Sequence, residues 1–250
     1  MEEIVKRIVL FILISVFLSA SQIYIAASAN LTYVMPEIIK AFNEKYPNIK
    51  VNFITSSSGK LTAQILREAP YDIFLSANLK YPKFLYSKGI GVFPPAIYAK
   101  GKICLFSVKH KNLSLKNLKT YSSIAISKPK TTPYGKAALE SFKKAGIYPQ
   151  IKDKLIYAET VAAVLSYIKN GADVGIISKS LIYSKNIKNL GKFYYKDINT
   201  SFYHPINQGI LLLSKKNEAK KFYNFLLSQK TKNILKRYGY DTKINNLQQN

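Results

Sequence analysis

Residues 22–42, QIYIAASANLTYVMPEIIKAF, hold the unit from which the rest of the chain is built. The segment 22–27 (QIYIAA) reads as a short buried strand. Ser28, Ala29 and Asn30 follow, and then Leu31, Val34, Met35, Ile38, Ile39 and Phe42 recur at helical spacing on one face. Asn30 stands where a helix N-cap belongs, because a short polar side chain there can serve the free N–H groups of the first turn. Pro36 has no N–H to donate, which predicts a first turn that is kinked or separate from the rest of the helix.

The same order of strand, polar junction and helix recurs on both sides of a long crossing segment. Residues 50–55 (KVNFIT) read as a strand, Ser56-Ser57-Ser58-Gly59 as a junction and 61–68 as a helix. Ile73–Ser76 is a third strand and 81–88 a third helix. Residues 97–108 are long and β-rich enough to cross between two bodies. A second series then runs through a strand at Ile124–Ser127, a helix at 134–145, a strand at 154–158, a helix at 161–169 and a strand at 174–177. Residues 209–214 (GILLLS) read as a returning strand, with 218–228 and 231–238 as closing helices. Alternation of this kind predicts parallel sheets with right-handed crossovers. The chain is therefore expected to form two Rossmann-like α/β lobes joined by a two-strand hinge. Residues 22–100 with 209–250 would make one lobe and 101–208 the other. Ligands in such folds sit beyond the carboxyl ends of the strands, here in the cleft between lobes.

Composition narrows what the cleft can do. The 250 residues carry a formal charge of +25 and are 48% hydrophobic, enough for packed cores. The basic residues are 35 lysines and three arginines, Arg7, Arg67 and Arg237, spread along the chain. Base readers lean on the planar fork of arginine, so nucleic acid is not the expected partner. Solvated lysine faces that attract a small anion fit better. Cys104 is the only cysteine, which excludes an internal disulfide and any site built from several thiolates.

Residues 1–21 read as a cleavable signal peptide. The apolar run 8–18 (IVLFILISVFL) is shorter than the roughly 20 residues of a membrane span. Small residues Ser19, Ala20 and Ser21 follow it, placing cleavage near 20–22. No cysteine stands there for lipid anchoring, so the mature chain is expected to be soluble, periplasmic or extracytoplasmic. Glu2 and Glu3 offset Lys6 and Arg7, and the mature chain keeps the full charge.

No enzyme motif stands out. His110 and His204 lie far apart with no carboxylate motif beside either, and the Gly-x-Ser-x-Gly, His-Glu-x-x-His and Gly-rich phosphate-loop patterns are missing. A binding protein without catalysis or cofactor is expected. Tyr194 and Tyr195 raise ferric iron as an alternative ligand, against their plainer reading as the end of a strand (KFYY).

Four strand-to-helix junctions carry the chemistry: Ser28–Asn30, Ser56–Gly59, Thr131–Gly135 and Glu159–Val161. A helix N-terminus exposes unpaired N–H donors and about half a positive charge. Several converging on one cleft make an anion site without a lysine in contact.

At these junctions the chain resembles the periplasmic molybdate-binding proteins of molybdate ABC transporters, within the type II periplasmic substrate-binding family. The likeness spans residues 22–241 and rests on 26–35 (AASANLTYVM), 57–65 (SSGKLTAQI), 70–77 (PYDIFLSA), 132–139 (TPYGKAAL), 158–161 (AETV), 173–177 (DVGII) and 236–240 (KRYGY), in that order and spacing. The resemblance implies a monomeric receptor that closes on molybdate, and on tungstate, and delivers it to an inner-membrane ABC permease. It also implies ligand contacts at Asn30, Ser58, Tyr134 through its backbone, Val161 through its N–H, and Ser178. Two of these depart from the commonest pattern, Asn30 standing for a serine and Ser178 for a tyrosine. The shorter Ser178 leaves either four contacts or a water bridge. Fully deprotonated anions need only donors, whereas phosphate keeps a proton and favours an acceptor in the site. Glu159 is the one nearby carboxylate, and it is expected to point away from the cleft. Sulfate, phosphate or ferric iron, and a secreted enzyme on the same scaffold, stand as alternatives.

Overall fold

The structure, a computed structural model, describes residues 21–184, 187 and 189–244. The expected signal peptide lies outside the described residues except for Ser21, which opens the first strand. Two five-stranded sheets organise the chain. The first has the order β2-β1-β3-β10-β4, with β1 Ser21–Ser28, β2 Ile49–Ser56, β3 Ile73–Ser76, β4 Ala96–Gly101 and β10 Ile206–Leu212. The second has the order β7-β6-β8-β5-β9, with β5 Ile103–Ser107, β6 Ile124–Ser127, β7 Leu155–Ala158, β8 Val174–Ser178 and β9 Tyr194–Asp197. Together with their flanking helices they form two mixed-sheet α/β lobes.

The sheets are not purely parallel, contrary to the expectation from alternation. β1 pairs in parallel with β2 and β3, and β6 with β7 and β8. β10 runs antiparallel to both β3 and β4, and β5 antiparallel to both β8 and β9. The physical reason lies in the crossings. β5 is the first strand after the chain leaves the first sheet, and β10 is the first strand after its return. Each enters from the facing lobe and so runs against its neighbours. The expected single strand over 97–108 is accordingly two strands broken at Lys102, one in each sheet. The return strand begins at Ile206, three residues before the expected start.

The helices cover both faces of each sheet. They are α1 Met35–Asn43, α2 Ser58–Leu66, α3 Lys80–Ser87, α4 Pro133–Lys144, α5 Tyr148–Ile151, α6 Ala163–Lys169, α7 Lys179–Ile182, α8 Asn217–Leu226 and α9 Gln229–Arg237. β1 shows why they pack as they do. Ile23, Ile25 and Ala27 face a core shared with Ile38 and Phe42 of α1 and Phe222 of α8, while Ala26 faces Leu61 and Ile65 of α2. Phe42 meets Phe222 edge-on at 5.0 Å between centroids, and fully burying each such side chain contributes about 1.5–3 kcal/mol. Pro36 acts as expected. Residues Ala29–Leu31 form a separate 3-10 turn, and α1 begins only at Met35, with Pro36 in its first turn where no N–H is needed. No helix among the described residues is long and apolar enough to cross a membrane.

Two carboxylates, Asp72 buried and Asp173 partly buried, pin the strand starts in matching places. Asp72, just before β3, accepts from the Tyr24 N–H at 2.8 Å. Asp173, just before β8, accepts from Ser122 and Ser123 N–H at 2.9 and 3.1 Å. Both stand in segments that carry the resemblance, and both act on the scaffold.

Candidate functional site

The parallel strands end in small polar residues that face the gap between the lobes. Ser28 ends β1, Ser56 ends β2 directly opposite it, and Ala77 follows β3. From the other lobe come Thr132, Pro133 and Tyr134 after β6, with Thr160 and Val161 after β7. These residues, with Ala29, Asn30, Ser57 and Ser58, line a narrow cavity in which about 10 Å³ is open to the centre of a water-sized sphere. That is room for about one water-sized group, far below the roughly 300–1,000 Å³ of pockets for drug-sized ligands, so only a compact ligand suits it. No carboxylate, lysine or histidine is among the residues that line it.

Local capping decides which donors remain available. At α2, the Ser57 side chain accepts from Lys60 N–H and the Gly59 N–H crosses to Thr131 O in the facing lobe at 3.2 Å. The Ser58 N–H is left over among the described residues. Ser58 Oγ accepts from Ala77 N–H at 3.0 Å, so its own hydrogen remains to donate. At α4, Thr132 Oγ1 accepts from Gly135 N–H at 3.1 Å and Pro133 has no N–H, which leaves that of Tyr134. At the third junction Thr160 Oγ1 accepts from Ala163 N–H at 3.1 Å, leaving the Val161 N–H. The regular helix begins at Ala163, two residues later than the sequence predicts. Thus the cavity gathers backbone N–H groups of Ser58, Tyr134 and Val161 from both lobes.

The Tyr134 side chain runs away from this gathering. Its phenol is buried against Gly101 at the crossing, where a β-carbon would collide with it. Burial holds its pKa well above the ordinary phenol value.

Asn30 lines the cavity, but its amide is committed elsewhere. Asn30 Nδ2 donates to Gln208 Oε1 and to Tyr240 Oη, both at 2.8 Å. Gln208 has no choice of orientation, since its Nε2 donates to Ala77 O and Ile206 O at 3.3 and 3.0 Å. The Asn30 carbonyl in turn accepts from Tyr240 Oη and Ser180 Oγ, each at 3.0 Å. Asn30 Oδ1 is buried without a partner. Both Asn30 amide hydrogens thus form a strut between the cavity wall and the C-terminal segment. Gln208 and Tyr240, which sequence reasoning missed as part of this site, hold it. The only sequence signal for Tyr240 was the segment 236–240, whose role no spacing rule reveals, and Gln208 carried none.

Ser178 does not join the cavity lining. It is fully buried at the end of β8, and its Oγ pairs with Ser180 Oγ at 3.0 Å. Tyr194 and Tyr195 lie on β9, an edge strand, and neither lines the cavity. His110 stacks near Tyr121 with its Nε2 3.7 Å from Asp173, and His204 pairs with Glu140 at 3.2 Å. Among the described residues no group of three His, Cys, Asp or Glu could hold a metal ion.

Glu159 points out of the cavity and across the cleft mouth. Its carboxylate is paired with Lys128 of its own lobe and with Lys60 of the facing lobe, the latter at 2.6 Å. Hydrogen bonds from these two lysines lower its pKa to about 2.

The comparisons with known proteins agree with this architecture. The chain is 32% identical over 233 residues to the molybdate-binding protein ModA of Rhodobacter capsulatus, covering 90% of each. It matches the solved periplasmic molybdate-binding protein of Azotobacter vinelandii with a TM-score of 0.79 at 25% identity, over 87% of this chain and 98% of that one. The sulfate-binding protein SubI of Mycobacterium tuberculosis shares the fold with a TM-score of 0.72 at 13% identity, over 88% and 86% of the two chains. A family model described as bacterial extracellular solute-binding protein matches residues 23–241, and the chain belongs to that family.

Proposed function

We propose that the chain is an extracytoplasmic receptor that captures molybdate, and tungstate with it, for an ABC importer. The observation that carries this reading is the interlobe cavity with free N–H donors from both lobes and no carboxylate in its lining. A dianion that only accepts hydrogen bonds satisfies those donors, and leaving them unpaired when the lobes close costs about 1–3 kcal/mol each. The similarity to molybdate-binding proteins of two bacteria supports the choice of ion. The fold alone would not, since a sulfate-binding protein shares it. The contacts are the N–H groups of Ser58, Tyr134 and Val161, the Ser58 hydroxyl, and Asn30 through its backbone.

In this reading the lobes, divided near residues 100/101 and 208/209, close over the anion by hinge motion at the two crossings. The closed pair is delivered as a monomer to a membrane permease. No catalysis, cofactor or nucleic acid enters the cycle. Residues 1–21 direct export.

Phosphate is the specific rival, because Asn30 Oδ1 is an unpaired acceptor beside the site. A thermal-shift titration with molybdate, tungstate, sulfate, phosphate and ferric iron separates the readings. A ligand at 100 times its dissociation constant stabilises the folded state by about 2.7 kcal/mol. Molybdate and tungstate are expected to raise the melting temperature at the lowest concentrations. A response to phosphate or ferric iron in their place overturns the proposal.

A further inference from the structure

We infer that Ser28 is a ligand-binding residue, its hydroxyl donating to the anion in the place left by the committed Asn30 amide and the withdrawn Ser178 hydroxyl. The inference rests on the oxyanion reading above and adds a residue to it. Ser28 ends β1, lines the cavity and is 2% exposed. It stands at the N-cap position of the turn Ala29–Leu31, yet its side chain caps nothing. Its Oγ is buried with no hydrogen-bond partner.

The other hydroxyls around the cavity show how unusual this is. Ser57, Ser58, Thr132 and Thr160 each accept a backbone N–H from the chain next to them. Thr132 also donates to Lys128 O at 2.7 Å. Among the serine and threonine hydroxyls that line the cavity, within the described residues, Ser28's alone is enclosed and unpartnered. A buried hydroxyl without a partner is a cost to folding, and such a cost at a cavity wall marks a group held for a ligand. Alanine stands two residues earlier on the same face, at Ala26, so the pleat itself does not demand a polar side chain.

Of the first lobe's other hydroxyls at the cavity, those of Ser57 and Ser58 already accept a backbone N–H, and Ser56 is only partly buried. Asn30 spends both amide hydrogens on Gln208 and Tyr240, and Ser178 faces Ser180. Ser28 therefore adds a fully buried side-chain donor with no other partner. It sits on β1, next to the strand bearing Ser56. A neutral hydroxyl is also able to accept, but molybdate and tungstate carry no proton at neutral pH and draw its hydrogen towards them.

The test is calorimetric titration of the full mature chain and of Ser28→Ala with molybdate, tungstate, sulfate and phosphate, alongside their melting temperatures without ligand. The expected result is a ten- to hundredfold weaker molybdate affinity for Ser28→Ala. Its ligand-free melting temperature should match or exceed that of the parent, because an unpaired buried hydroxyl has been removed. Ser28→Cys, of nearly equal volume but with a weak donor, should fall between the two. Equal molybdate affinity in parent and Ser28→Ala overturns the role of Ser28 and leaves the receptor reading standing. A parent chain that binds none of the four anions overturns both. A lower ligand-free melting temperature in Ser28→Ala and Ser28→Cys, with unchanged affinity in the folded protein, would make Ser28 a packing residue and defeat the inference.

Discussion

At the scale of single residues, the site works because most of its polar atoms are already spoken for. Ser58 illustrates this. Its oxygen accepts from Ala77 N–H, which leaves the hydroxyl hydrogen as the part free to face an anion. Ser58→Ala should weaken oxyanion binding about tenfold to a hundredfold, the usual value of about 1.5–3 kcal/mol for a hydrogen bond to a charged group. It should also lower folding stability by about 1–3 kcal/mol, since the Ala77 N–H loses its partner. Calorimetry and urea denaturation read the two effects separately. Gln208 is the opposite kind of residue. It touches no ligand in this reading, but it joins Ala77, Ile206 and Asn30 in one buried chain of hydrogen bonds. Gln208→Leu strands the Asn30 amide and two carbonyls at once. We expect one of the larger single losses of stability, about 2–5 kcal/mol, visible as a fall in the urea midpoint. A variant of full stability would show that the buried chain relaxes freely.

At the scale of elements, both lobes use one device twice: a carboxylate just before a parallel strand pins the neighbouring segment through backbone N–H groups. For Asp173, burial raises the carboxyl pKa, but the bonds from Ser122 and Ser123, helped by Lys109 and His110, outweigh it and leave the pKa lowered from 3.8. A lowered folded value means the contribution to stability is complete above the ordinary carboxylate range and is lost as pH falls through the folded value. Asp173→Asn should therefore be less stable than the parent at neutral pH, and the gap should narrow as pH drops below about 4, measured by urea midpoints across pH. This device was not legible in the sequence, because its partners are some 50 residues away along the chain. What was legible is what local chemistry fixes. The apolar run and its junction at 22–42 predicted a strand, a detached first turn at Pro36 and a helix. The junction Thr131–Gly135 and the helix read over 134–145 placed the start of α4 to within one residue. The antiparallel direction of β5 and β10 was not legible, since it follows from which lobe the chain has just left. Nor was the commitment of the Asn30 amide, which depends on residues 178 and 210 positions later. The four-residue helices α5 and α7 were missed because a single turn has no periodicity to read.

At the scale of the whole molecule, the question is what holds two lobes closed over one small ion. Among the contacts that bridge the cleft mouth, two work by opposite physical principles. One is steric and directional: Gly59 N–H reaches Thr131 O, and a β-carbon at Gly59 would come within 3.3 Å of the Thr131 backbone and 3.0 Å of Tyr81 Oη. Gly59→Ala should fold normally as a separate lobe surface but close imperfectly, releasing the anion faster at every salt concentration. The other contact is the Lys60–Glu159–Lys128 triad, half-exposed and so weak and sensitive to salt. Its carboxylate, with a pKa lowered to about 2, stays charged at any pH above about 4.5, and the clasp is lost only as pH falls through that low value. Glu159→Gln breaks the clasp, yet it also leaves Lys60 and Lys128 unneutralised beside the cavity. The two consequences act on different rates. Loss of the clasp should raise the dissociation rate severalfold, while the freed lysines should raise the association rate at low ionic strength. Stopped-flow binding in rising salt tells them apart: the faster association should fade with salt, and the dissociation rates of parent and variant should converge as the parent's own clasp is screened. Dissociation rates that remain apart in strong salt, or that never differ, would remove Glu159 from the closing mechanism and leave it to Gly59 and the backbone.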